Sequence, residues 1–186
     1  MRGFVGLACA LALALPAFSL PVVALENENL LVSMPSGYKV GFSGRKNNMI
    51  INEMVPAAET VENWTEMVTV QIFLGLKDSV TGFRLRMEKL WASACAGARS
   101  APVGGGLVNG YTTMTWRMSC PRNAQTGKPE MTWFKAISGH DSFYVVQKAF
   151  KYEPPPEKVA EWMAWLDKVS VCDTRLPESK CPAGMR

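Results

Sequence analysis

A single histidine stands in this chain, His140, within the run Ser138-Gly139-His140-Asp141. Hydroxyl, imidazole and carboxylate are the residue types of nucleophilic catalysis, where a base activates a hydroxyl and an acid orients the base. Their spacing argues against that use. Side chains of a tight turn point in differing directions, and polar residues populate turns for backbone reasons. Glu53, Glu59, Glu62 and Glu66 could supply acid and base, but glycoside hydrolysis needs two carboxyls facing each other across a cleft. These four are spread over a strand, a loop and a helix start. Gly104-Gly105-Gly106 lacks the Lys-Ser/Thr that completes a phosphate-binding loop. No catalytic residue is assigned. The chain reads more readily as a binding protein than as an enzyme, with a hydrolase as the third reading.

Soft ligands offer a second chemistry. Met114, Trp116 and Met118 share one face of an alternating segment, Met131 and Trp133 lie on the next, and His140 follows. Thioether and imidazole suit Cu(I), and an indole can cover such an ion. Met114, Met118, Met131 and His140 are therefore candidate ligands of a soft metal, and some periplasmic copper chaperones are similar in using these residue types on a small β-scaffold. Methionine as a core filler explains the same pattern, and no cofactor is otherwise called for. The basic residues Lys39, Arg45 and Lys46, with Arg84, Arg86 and Lys89, could face an anionic lipid or an acidic protein. Solvated charge is the plainer account. A net charge of +4 on 186 residues is too small and too scattered for a nucleic-acid binder.

The N-terminus specifies a compartment. Arg2 precedes an apolar run from Phe4 to Val23 that ends in Val22-Val23-Ala24, the small-residue pattern of a signal-peptidase site. Pro16 and Pro21 interrupt the run, and no positive cluster follows it. The expectation is a signal peptide over residues 1–24, a single domain over 25–172 and a tail over 173–186, with no transmembrane anchor after cleavage and a periplasmic or secreted location. Cys9 leaves with the signal. The remaining cysteines, Cys95, Cys120, Cys172 and Cys181, are even in number in an oxidising compartment and read as two disulfides. Of three possible pairings, Cys95 with Cys120 and Cys172 with Cys181 closes the short loops. The last would hold the tail.

The elements that position these residues follow from periodicity. Tyr38, Val40 and Phe42 alternate with polar neighbours, turn at Gly44 to Asn48, and return over Met49 to Val55 as a hairpin. Asn63-Trp64-Thr65-Glu66 has the form of a helix start, predicting a helix to about Leu74 with Gly75 ending it. Phe83, Met87, Leu90, Trp91 and Ala94 form one stripe of a second helix. Arg99 to Gly106 reads as a mobile loop. Alternating runs over 113–120, 131–137 and 143–152 predict an antiparallel meander. Pro154-Pro155-Pro156 stops it, and Val159, Trp162, Met163 and Leu166 mark a closing helix. Val169 to Val171 could be a short final strand.

The expected fold class is α+β, an antiparallel sheet of about five to six strands with two to three packed helices. This element order resembles the PsbP/Mog1-like fold, and the chain is similar to small exported proteins of Gram-negative bacteria. The resemblance implies a binding or assembly role with a protein or small-molecule partner, and no catalytic residues.

Overall fold

The computed structural model describes residues 27–182. The expected signal peptide and its cleavage site lie outside them. Among the described residues no helix is long and apolar enough to cross a membrane.

Seven antiparallel strands form the main sheet: β2 (Tyr38–Lys46), β3 (Met49–Pro56), β4 (Glu66–Leu74), β5 (Arg99–Val108), β6 (Tyr111–Cys120), β7 (Glu130–Ser138) and β8 (Ser142–Phe150). Their spatial order is β2-β3-β4-β8-β7-β6-β5. A separate ribbon pairs β1 (Glu28–Leu31) with β9 (Ser170–Asp173). Two helices, α1 (Val80–Ala94) and α2 (Pro156–Asp167), complete the α+β fold, followed by a single 3-10 turn over Pro177–Ser179. The sheet thus has more strands than periodicity predicts.

The difference lies in two segments. Residues 63–74 do not form a helix. Val68, Val70 and Ile72 alternate with Thr69, Gln71 and Phe73, and β4 takes a central place between β3 and β8. β-branched residues favour a pleated surface over a helix, and Glu66 bonds distant side chains instead of a helix N-terminus. Residues 99–106 are likewise no loop but most of β5, paired along β6 with a register shift between Pro102 and Gly104. A Cβ on Gly105 would lie 2.9 Å from the Thr113 carbonyl oxygen, so this close approach requires glycine.

Each face of the sheet is covered differently. Under α1, Val80 and Phe83 meet Trp116, Met118, Phe134, Ala136, Phe143 and Val145. Trp116 and Phe134 stack at 4.9 Å. Ser79 caps α1 by accepting the Gly82 N–H. On the other face, Trp162 and Leu166 of α2, with Val169 and Val171, pack on Val68, Val70, Trp133, Ile137, Val146 and Phe150. Pro156 opens α2 in its first turn, where a missing N–H costs nothing. Both disulfides join the expected partners, Cys95 with Cys120 and Cys172 with Cys181. The first ties the end of α1 to β6, the second ties the tail to β9. Two such bridges fit an oxidising compartment.

Candidate interaction site

The two edges of the main sheet are unlike. β2 carries Lys39, Arg45 and Lys46, all exposed, and edge charges of this kind oppose pairing with a further strand. β5 bears no charge from Ser100 to Val108. Val103 and Leu107 on it are 51% and 74% exposed. No described residue pairs with its outer side. A strand edge presents alternate N–H and C=O groups to whatever lies beside it.

A groove of about 450 Å³ runs along this edge. Its floor is the backbone of Gly104, Gly105 and Gly106, with Thr113 and Thr115 beside them, and Met163 and Asp167 of α2 form the wall. Gly104 faces Thr115 and Gly106 faces Thr113 across the ladder, so both glycines lie on the α2 side. Lys135 secures the wall: its Nζ donates to the carbonyls of Leu166 at 2.9 Å and Asp167 at 3.2 Å. These carbonyls lie at the helix C-terminus, where the dipole suits a cation. Burial holds the Lys135 ammonium below its ordinary pKa, against a smaller opposing pull from Asp167. A second opening of about 500 Å³ lies between the β2–β3 turn and the chain leaving β4, lined by residues including Lys46, Met49, Phe73 and Leu76.

Two polar clusters, one buried and one partly exposed, have the look of reactive sites and act as fastenings. Lys148 is fully buried, its Nζ 3.8 Å from the Trp162 ring, 4.4 Å from Phe150 and 4.8 Å from Tyr38. It donates to Glu66 at 2.8 Å and to the Tyr38 hydroxyl at 2.6 Å. Glu66 also accepts from Tyr38, Tyr152 and Lys158. Burial opposes the Glu66 charge, but hydrogen bonds from Lys148, Tyr152, Tyr38 and Lys158 outweigh it and hold the carboxyl at about 2. Burial pulls Lys148 down to about 8, against the attraction of Glu66. Each of these side chains finds a hydrogen-bond partner across the sheet and α2, which is what a structural ion pair requires.

The carboxylates of Glu28, Asp141 and Asp173 offer oxygens within 4.8 Å of one another, a spacing that could hold a cation. Each already has partners. Glu28 accepts the N–H groups of His140, Asp141 and Ser142 and the Tyr144 hydroxyl. Arg175 bridges Asp141 at 2.7 Å and Asp173 at 2.5 Å. Hydrogen bonding from Arg175 lowers the Asp173 pKa. The cluster clasps the β1–β9 ribbon to the β7–β8 turn.

The candidate soft-metal set does not assemble. Met114 and Met118 belong to the face beneath α1, and Met118 is 1% exposed. Met131 belongs to the opposite face, because it pairs with Ser119 rather than with Met118. Directly paired residues share a face. The His140 ring packs on Tyr111 at 5.3 Å, on that same opposite side. Ser138 donates its hydroxyl to the Asp78 carbonyl, so it does not turn toward His140. The basic set divides too. Lys39, Arg45 and Lys46 lie on β2, whereas Arg84 pairs with Glu88 and Arg86 with Asp78 on and beside α1. Periodicity missed the Lys135 tether, the pairing of Lys148 with Glu66 and the β5 groove. The signal available was the absence of charge between Arg99 and Arg117.

No protein-family model matches the chain, and no curated protein matches it. Among solved structures it is similar to the Ran-binding protein Mog1p of Saccharomyces cerevisiae, at 11% identity and TM-score 0.43, over 76% of this chain and 85% of that one. It is similar to the cyanobacterial PsbP (CyanoP) of Synechocystis, at 10% identity and TM-score 0.46, over 84% and 98%. A third is LpqN of Mycobacterium tuberculosis, involved in cell envelope biogenesis, at 9% identity and TM-score 0.39, over 80% and 85%. The likeness is one of fold outline alone.

Proposed function

We propose that this chain is an exported, non-enzymatic interaction domain, periplasmic or secreted, that binds an extended segment of a partner protein along β5. The observation that carries this reading is the contrast between the two sheet edges: three exposed cations on β2, and none between Ser100 and Val108 on β5. An uncharged, uncovered edge is a template for one more strand, and recognition by strand addition uses that geometry. The groove supports it by offering side-chain space beside the edge, at about 450 Å³, within the size range of ligand sites. The two disulfides and the leader pattern support export.

The test uses random decapeptides displayed on phage and selected on the oxidised chain, with recovered peptides followed by hydrogen exchange. Bound peptide should slow exchange of amides within Arg99–Val108 and leave β2 unchanged. Val103→Lys with Leu107→Lys, both at exposed positions, should weaken binding by about tenfold or more. Failure to enrich any sequence, or protection located away from β5, refutes strand addition.

A further inference from the structure

We infer that the segment received by β5 carries an aromatic side chain that lies over Gly104 and Gly106, in the groove between this edge and α2. The inference rests on the strand-addition reading and specifies its partner. Three consecutive glycines leave the outer strand without side chains where its neighbours carry Thr113 and Thr115. A Cβ placed on Gly104 or Gly106 would meet nothing within 4 Å, so the space above both is open. Met163 and Asp167 of α2 line the same groove.

Aromatic rings placed across from an edge glycine cover its bare backbone, a device that stabilises sheets. Thioether sulfur also makes favourable contacts with ring edges. The ammonium of Lys135 is bound to the carbonyls at the end of α2, while the Asp167 side chain stands exposed at the rim. An anionic side chain would find no free cation there among the described residues. An aromatic ring needs none.

A second copy of this chain fits less well. Antiparallel pairing of two β5 strands about Gly105 sets glycines opposite glycines and leaves both grooves empty. A partner with large side chains on alternate positions fills the space that self-pairing leaves.

The test uses the oxidised chain and a series of soluble peptides, Lys-Thr-Val-Thr-Xaa-Thr-Val-Thr-Lys, in which Xaa is Trp, Phe, Leu or Ala. Trp and Phe should bind about tenfold more tightly than Ala, with Leu between. Gly104→Val adds a side chain where the fold has room and should abolish the aromatic advantage while the Ala peptide still protects β5 amides from exchange. Met163→Ala should reduce the advantage from the other wall. Equal affinities across the series, or an advantage untouched by Gly104→Val, with β5 still protected, would overturn the aromatic inference and leave strand addition standing. No protection of β5 by any peptide would sink the edge reading itself. A concentration-dependent dimer that protects β5 without peptide would replace the partner with a second copy.

Discussion

Removing the charge from Glu66 while leaving Lys148 in place should be among the most damaging conservative changes in this protein. Glu66→Gln keeps the shape and two of the hydrogen-bonding positions. It takes away the anion that faces an ammonium with no solvent exposure, seated among the rings of Trp162, Phe150 and Tyr38. Breaking a buried pair by neutralising one partner costs about 3–5 kcal/mol, because the other charge stays buried without compensation. At about 2–4 °C per kcal/mol for a chain of this size, the melting temperature should fall by roughly 6–20 °C. Lys148→Met should cost less. Glu66 then keeps Tyr38, Tyr152 and Lys158 as donors. The double variant Glu66→Gln with Lys148→Met should lose less than the sum of the two, by about 1–3 kcal/mol, since no unpaired ammonium remains. Urea titration of the disulfide-intact protein, read by near-ultraviolet circular dichroism of the tryptophans, measures all three. A Glu66→Gln loss under about 1 kcal/mol, or strict additivity in the double variant, would refute this account of Lys148.

Acid should act on the same pair. The Glu66 carboxyl titrates near 2 when folded and near its ordinary value when unfolded. Its contribution is therefore present above about pH 4.5 and lost as pH falls toward 2, and Glu66→Gln should flatten that stretch of the stability curve measured by urea titration. Reduction should destabilise more through Cys95–Cys120, which spans 25 residues, than through Cys172–Cys181, which spans 9. Chain-entropy arithmetic gives about 3.5 and 2.6 kcal/mol, and serine replacement of each pair followed by thermal unfolding reads the difference. Gly139→Ala should cost about 1–3 kcal/mol, because the Cβ would overlap the Glu28 carboxylate and the Ser142 carbonyl. Faster exchange of the His140 and Asp141 amides, whose acceptor is Glu28, checks it.

Sequence alone determined the parts of this protein that depend on near neighbours. The stripe of Phe83, Met87 and Trp91 marks α1, the three prolines stop β8 and begin α2, and the short spacings between cysteines pick out the bridges that form. Each rests on a period or a loop length, which the chain carries within about 25 residues. Tertiary structure decided the rest. Asn63 to Glu66 has the local form of a helix start, yet β4 gains two strand partners and a face packed against α2, which no helix cap equals. Arg99 to Gly106 has the composition of a loop and becomes a strand because Gly105 can approach the Thr113 carbonyl. Met131 looks like a neighbour of Met118 until the ladder sets it opposite Ser119, and a one-residue difference in register moves a side chain to the other face. Lys148 and Glu66 lie 82 positions apart. Nothing local marks two such charges as partners. The β5 groove likewise exists only once one strand is left at the edge of the sheet and α2 packs beside it.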